Sequence, residues 1–162
     1  MRIKKLLLLI VISIGLTTLM STTCEKDDPD EPSGCEGIAA ASATGYITQS
    51  FCFDALVTYE YELNGNCQFT ARQSGDPEYA YSFRIYEFTG NGTYNCGPDQ
   101  DAFSELILHG ADNEFYKAQS GTVTITEYSL SGMKATFNLV TKGYYNDEIV
   151  NISGVVDFQG VQ

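Results

Sequence analysis

The chain has 162 residues, with 21 Asp plus Glu against 9 Lys plus Arg, one His, no Trp, 15 Gly and five Cys. A formal charge of −12 repels nucleic acid and anionic lipid alike, which argues against either as the main partner. One His and few cations leave little material for phosphate or acyl-transfer chemistry.

The first segment carries Arg2, Lys4 and Lys5 ahead of an apolar run, Leu6 to Met20, broken only by Ser13, Gly15, Thr17 and Thr18. The run falls short of the roughly 20 apolar residues of a spanning helix, and the small residues Ser21, Thr22 and Thr23 follow it. Residues 1–23 therefore read as a signal peptide. One reading is plain secretion with cleavage near Ser21 or Thr23; the other makes Cys24 the lipidated first residue. Lipidation leaves an even number of the five cysteines, whereas plain export leaves an odd thiol. Loss of three cations leaves 6 bases against 21 acids, a formal −15. Residues 24–36, beginning Cys24-Glu25-Lys26-Asp27-Asp28-Pro29-Asp30-Glu31-Pro32, are too polar to fold alone and suit a flexible tether. About twelve such residues reach roughly 40 Å when extended.

The run Cys24-Glu25-Lys26-Asp27-Asp28 resembles the start of surface lipoproteins of Bacteroidota, where Lys and two acids after the lipidated Cys mark export to the outer face. The resemblance implies acyl chains such as palmitate on Cys24. It also implies a place in the outer membrane with the body exposed at the cell surface. Stable anchoring of this kind takes more than one chain.

Residues 37–162 read as one all-β domain. From Phe51 to Leu63 apolar and polar positions alternate for thirteen residues, the pattern of a strand with one dry and one wet face. Asn64-Gly65 marks a turn. A three-residue loop, Asn64 to Asn66, pairs Leu63 with Cys67, Tyr61 with Phe69 and Tyr59 with Ala71, keeping apolar opposite apolar. Further strands follow at Tyr79–Ile85, Thr93–Cys96 and Phe103–Leu108, then at Gly121–Thr126, Met133–Leu139 and Val150–Phe158. Gly90-Asn91-Gly92, Gly132, Gly143 and Asn146 punctuate them. Ile38-Ala39-Ala40-Ala41 is too short and Gly-flanked for a helix. Eight or nine short strands predict a single antiparallel β-sandwich or small meander barrel. The last three strands resemble the C-terminal part of uncharacterised all-β lipoprotein families of the same phylum, a likeness that supports the fold and implies no activity.

Four cysteines remain. Cys67 lies on the dry face by parity, and Cys96 shares a face with Tyr94; Cys52 lies on the other face of its strand, near Cys35 at the end of the tether. The expected bonds are Cys35–Cys52 and Cys67–Cys96, favoured by an oxidising compartment over a thiolate metal site.

Candidate chemistry is sparse. Glu60 and Glu62 share a strand face about 6.5 Å apart, a spacing compatible with glycoside cleavage or with simple solvation of a hairpin. Asp99, Asp101, Glu105, Asp112 and Glu114 offer oxygen ligands for calcium in loop-like sequence, without the spacing of the helix-loop-helix calcium motif. His109 ends a strand, and Ser104 and Ser120 lie in no nucleophile pattern. Asn91 and Asn151 begin glycosylation-type triplets that carry little meaning in a bacterial lipoprotein. Tyr144 and Tyr145 occupy a hairpin tip, where an exposed ring makes a contact residue for a sugar or a protein. The expectation is a surface module binding a glycan, peptide or partner lipoprotein, with no catalysis and no cofactor. The alternatives are a glycosidase using Glu60 with a second carboxylate, and a small barrel carrying an apolar ligand.

Overall fold

Strands with one dry face need that face covered, and here a single antiparallel sheet covers it by curling onto itself. The computed structural model describes residues 35–74, 78–109 and 114–160. The signal peptide, Cys24, most of the tether and Asp112 lie outside the described residues. The strands are β1 (Ala39–Gly45), β2 (Gln49–Phe53), β3 (Ala55–Tyr61), β4 (Asn66–Gln73), β5 (Glu78–Tyr86), β6 (Gly92–Asn95), β7 (Ala102–His109), β8 (Glu114–Ser129), β9 (Gly132–Gly143) and β10 (Ile149–Gln159). The sheet runs β2-β1-β10-β9-β8-β7-β5-β4-β3, with β6 paired to β8 beside β7, and is nearly closed into a barrel.

The closure comes from one run of chain. The alternating segment from Phe51 to Leu63 is not one strand, because it bends at Asp54. Before the bend β2 pairs with β1, and after it β3 pairs with β4, so the two ends of the sheet are joined covalently. Asp54 holds the corner twice: its N–H donates to the Arg72 carbonyl (3.1 Å), and its carboxylate accepts from the Ser74 N–H (2.8 Å). The Ser74 bond also holds the Asp54 carboxyl below its ordinary range. A register shift at Val57 then leaves Leu56 and Val57 both exposed. Further along β3, the Tyr59 hydroxyl sits 2.7 Å from the Ser129 carbonyl and 3.0 Å from that of Gly132, tying β3 to the β8–β9 hairpin.

The β3–β4 hairpin keeps the expected parity but not the expected register. Tyr61 pairs with Cys67 and Tyr59 with Phe69, and Glu62 N–H donates to the Asn66 carbonyl. The loop is therefore Leu63-Asn64-Gly65, one residue earlier, with Leu63 exposed and Asn64 at φ 60°. Asparagine enters the left-handed region more readily than most residues. Phe88, just past the end of the neighbouring strand β5, fixes the loop, its N–H donating to the Gly65 carbonyl and its carbonyl accepting from Asn64.

The interior is filled by rings. Tyr81 stacks on Phe137 at 4.1 Å, and Phe69 lies between Phe83 (5.4 Å) and Phe158 (5.6 Å). Buried Ser104 satisfies the Tyr81 hydroxyl (3.1 Å) and donates to the Ser82 carbonyl (3.0 Å). Space for these rings comes from small residues on neighbouring strands. One row across the sheet reads Phe51, Ala41, Gly154, Phe137, Val123. A Cβ at Gly154 would strike the Ala40 carbonyl and approach the Phe137 ring to 2.6 Å. Ala39, Ala41 and Ala43 of β1 are buried beside them.

Of the two expected disulfides one is formed. Cys35 and Cys52 are bonded, with Cα atoms 5.4 Å apart across a separation of 17 residues, contributing about 3 kcal/mol by loop closure. The Cys67–Cys96 bond is a wrong expectation: both are free, buried thiols. They do share the dry face, but Cys67 pairs with Ile85, Ile85 with Ala102, and Ala102 bridges to Cys96. Three ladder steps, roughly 14 Å along the sheet, separate them, whereas a disulfide needs Cα atoms within about 7 Å.

Two outcomes follow. In the folded protein neither Cys67 nor Cys96 reacts with a thiol reagent, and both react after unfolding without reductant; peptide mass mapping reads this directly. A second outcome concerns alkali. Burial pushes the Cys67 thiol from 9.0 up to about 12, and Cys96 up to about 11. The folded state therefore keeps protons that the unfolded chain releases. Stability held below pH about 9 declines as pH rises towards about 12, and denaturant melts across that window show the slope reduced in Cys67→Ala.

Candidate functional site

The hairpin joining β9 to β10 is laced by its own polar groups and leaves its rings exposed. Gly143 N–H donates to the Glu148 carbonyl (2.8 Å), Glu148 N–H to Asn146 Oδ1 (2.9 Å), and Asp147 takes a φ of 60°. A Cβ at Gly143 would collide with Asn146 Oδ1 and come within 2.9 Å of Glu114 Oε1, so a side chain there would displace the two groups that hold the turn. Lys142 pairs with Asp147 across the turn at 2.6 Å, an exposed bridge of small energetic weight.

The hairpin is also bound to β8. Tyr144 N–H donates to the Phe115 carbonyl (2.8 Å), Tyr145 N–H to Glu114 Oε1 (3.0 Å), and Asn146 Nδ2 to the Tyr116 hydroxyl (3.0 Å). Burial raises the Tyr116 pKa, with Glu114, Tyr46 and Glu148 adding to the shift through their charge. Tyr46, from the β1–β2 loop, lies at this same end of the barrel. Tyr46 is 61 % exposed and donates its N–H to the Ile149 carbonyl (3.2 Å).

With the backbone so held, the Tyr144 and Tyr145 rings face solvent at 63 % and 66 % exposure. They meet edge to face, centroids 4.9 Å apart and planes at 89°. Lys117 Nζ lies 4.8 Å from the Tyr144 centroid, and Phe115 supports Tyr145 at 6.4 Å. Two rings on an ordered backbone present flat apolar surface with little ordering entropy left to lose. They offer contact area. No nucleophile and base are paired among them.

The other candidates scatter. Glu60 and Glu62 are exposed at the open edge of the sheet. Asp99 and Asp101 are exposed in the loop before β7, Asp112 lies outside the described residues, and Glu114 is engaged by Tyr145. Among the described residues no three such groups gather as a metal site. His109 ends β7, and its side chain lies outside the description. Ser104 is a core residue, and Ser120 is exposed beside an irregularity in β8. Tyr46, Phe115 and Lys117 escape a reading of the sequence, because each gains its meaning only from the strand pairing that places it near the hairpin. Comparison with family models, with curated proteins and with solved structures gives no match for this chain.

Proposed function

We infer that the protein is a surface-exposed, lipid-anchored binding module that contacts a glycan, peptide or partner lipoprotein through the β9–β10 end of its barrel, without catalysis or cofactor. The observation that carries this reading is the ordered, exposed pair Tyr144 and Tyr145. Exposed aromatic rings on a fixed backbone are favoured anchors of recognition surfaces. Anchoring through Cys24 in the outer membrane rests on the leader, the Cys-Glu-Lys-Asp-Asp start and the acidic tether.

The alternatives gain less. A barrel carrying an apolar ligand needs an interior cavity of a few hundred Å³, and this interior is occupied by Tyr81, Phe137, Phe69, Phe83 and Phe158. The larger depressions among the described residues open on the surface. A glycosidase needs two carboxylates across a cleft, and Glu60 lies open on an edge strand.

Glycan and peptide arrays probed with the mature protein test the module. Tyr144→Ala and Tyr145→Ala each weaken the bound class about tenfold or more, at an unchanged melting temperature. Equal binding by both variants refutes the assignment. Cys24→Ser tests the anchor separately: the variant leaves the membrane fraction, and mass spectrometry of the parent shows an acylated N-terminal Cys.

A further inference from the structure

The outer face of β4, β5 and β7 carries a groove of about 290 Å³, at the low end of the roughly 300–1,000 Å³ usual for ligand sites. Register builds it. Gln68, Arg84 and Phe103 form one row across three strands, with Ser82 and Glu105 opposite each other in the next; Tyr86 closes the end. All point away from the barrel interior, where alternation calls for plain polar residues, so Phe103 and the 45 % exposed Tyr86 are departures from it.

Two features separate this groove from an ordinary wet face. Gln68 Oε1 accepts from Arg84 Nη2 at 2.7 Å, which fixes the guanidinium across the strands. In a chain with so large an excess of acids, no carboxylate pairs with Arg84 among the described residues, although Glu105 lines the same groove. The remaining guanidinium N–H groups are donors only, and an ionised Glu105, accepting from Ser82 at 3.4 Å, is an acceptor only.

The geometry points to a second binding site here, one that takes a neutral sugar ring. Sugar hydroxyls both accept and donate, so one ring satisfies Arg84 and Glu105 together, while its C–H face rests on Phe103 or Tyr86. An anionic ligand would satisfy Arg84 and meet repulsion from Glu105 and from the chain's net charge; an ammonium would satisfy Glu105, meet repulsion from Arg84 and leave the guanidinium donors without an acceptor. A peptide is disfavoured as well, because β4, β5 and β7 are interior strands with no free edge for its backbone to pair with. The inference narrows the ligand class of the binding module and rests on that reading in taking the protein as a binder.

Heteronuclear NMR titration of the full mature chain tests it, with neutral gluco-, manno- and xylo-oligosaccharides, oligogalacturonate and a mixed tripeptide pool as probes. The expected result is that a neutral oligosaccharide moves the Gln68 side-chain amide and Arg84 Nε signals. Arg84→Ala and Phe103→Ala then weaken that response about tenfold or more. Arg84→Lys weakens it too, since charge is kept and the planar fork is lost. If Phe103→Ala fails to fold, the two Arg84 variants, at an exposed position, still decide the matter. Shifts confined to the Tyr144 and Tyr145 amides overturn the groove site and leave the module standing. A groove response to oligogalacturonate or tripeptides alone overturns the sugar assignment. Silence of the groove towards every neutral oligosaccharide overturns the groove site, while the arrays with Tyr144→Ala and Tyr145→Ala decide the module.

Discussion

The fold depends on a corner. A sheet of this length has two edges, and each would expose a row of unpaired backbone groups. Here the edges are consecutive pieces of one segment, β2 and β3, hinged at Asp54. The bond from Asp54 N–H to Arg72 and the bond from Ser74 to its carboxylate set the angle at which the chain leaves one neighbour and joins the other. Beyond the corner the two free edges diverge, and side chains span the gaps: Gln73 Oε1 accepts from Cys52 N–H on one side, and the Tyr59 hydroxyl reaches the β8–β9 hairpin on the other.

Closure decides what the interior can hold. Rings from β3, β4, β5, β9 and β10 pack on one another, and β10 offers Gly154 where a Cβ would strike the Ala40 carbonyl and crowd Phe137. What meets solvent is consequently the outside, including the exposed rings at the β9–β10 hairpin tip and the outer face of β4, β5 and β7. The hairpin tip is held to β8 by hydrogen bonds, and β4, β5 and β7 are interior strands of the sheet.

Much of the body is legible in the chain. The faces of β5, β9 and β10 follow from strict alternation of aromatic and aliphatic residues with polar ones, as in Met133, Ala135, Phe137 and Leu139, all buried. Parity also places Cys67 and Tyr94 indoors. It does not measure distance along the sheet, and β6 leaves the β5–β7 pair to lie against β8, so the two thiols never meet. Nor does parity separate registers that differ by two residues: the β3–β4 hairpin is decided by Asn64 and by Phe88, a contact with no local signature. β1 is obscure because alanine is a weak strand former, and its role lies in what it leaves vacant for Phe137. At the candidate site, the turn residues and exposed tyrosines are readable from Lys142-Gly143-Tyr144-Tyr145-Asn146-Asp147, but their support from Phe115 and Lys117 exists only once β8 pairs with β9.

The one disulfide has a mechanical consequence. Cys35 lies four residues ahead of β1, and its bond leads straight to Cys52, next to the end of β2. Tension arriving from the N-terminal side is therefore shared between two adjacent strands by a covalent cross-tie. Without it, the same pull would fall first on the Ile38–Phe53 contact and then on β1 alone, unzipping it from β10 one hydrogen bond at a time. With it, β1 and β2 resist in shear as a unit.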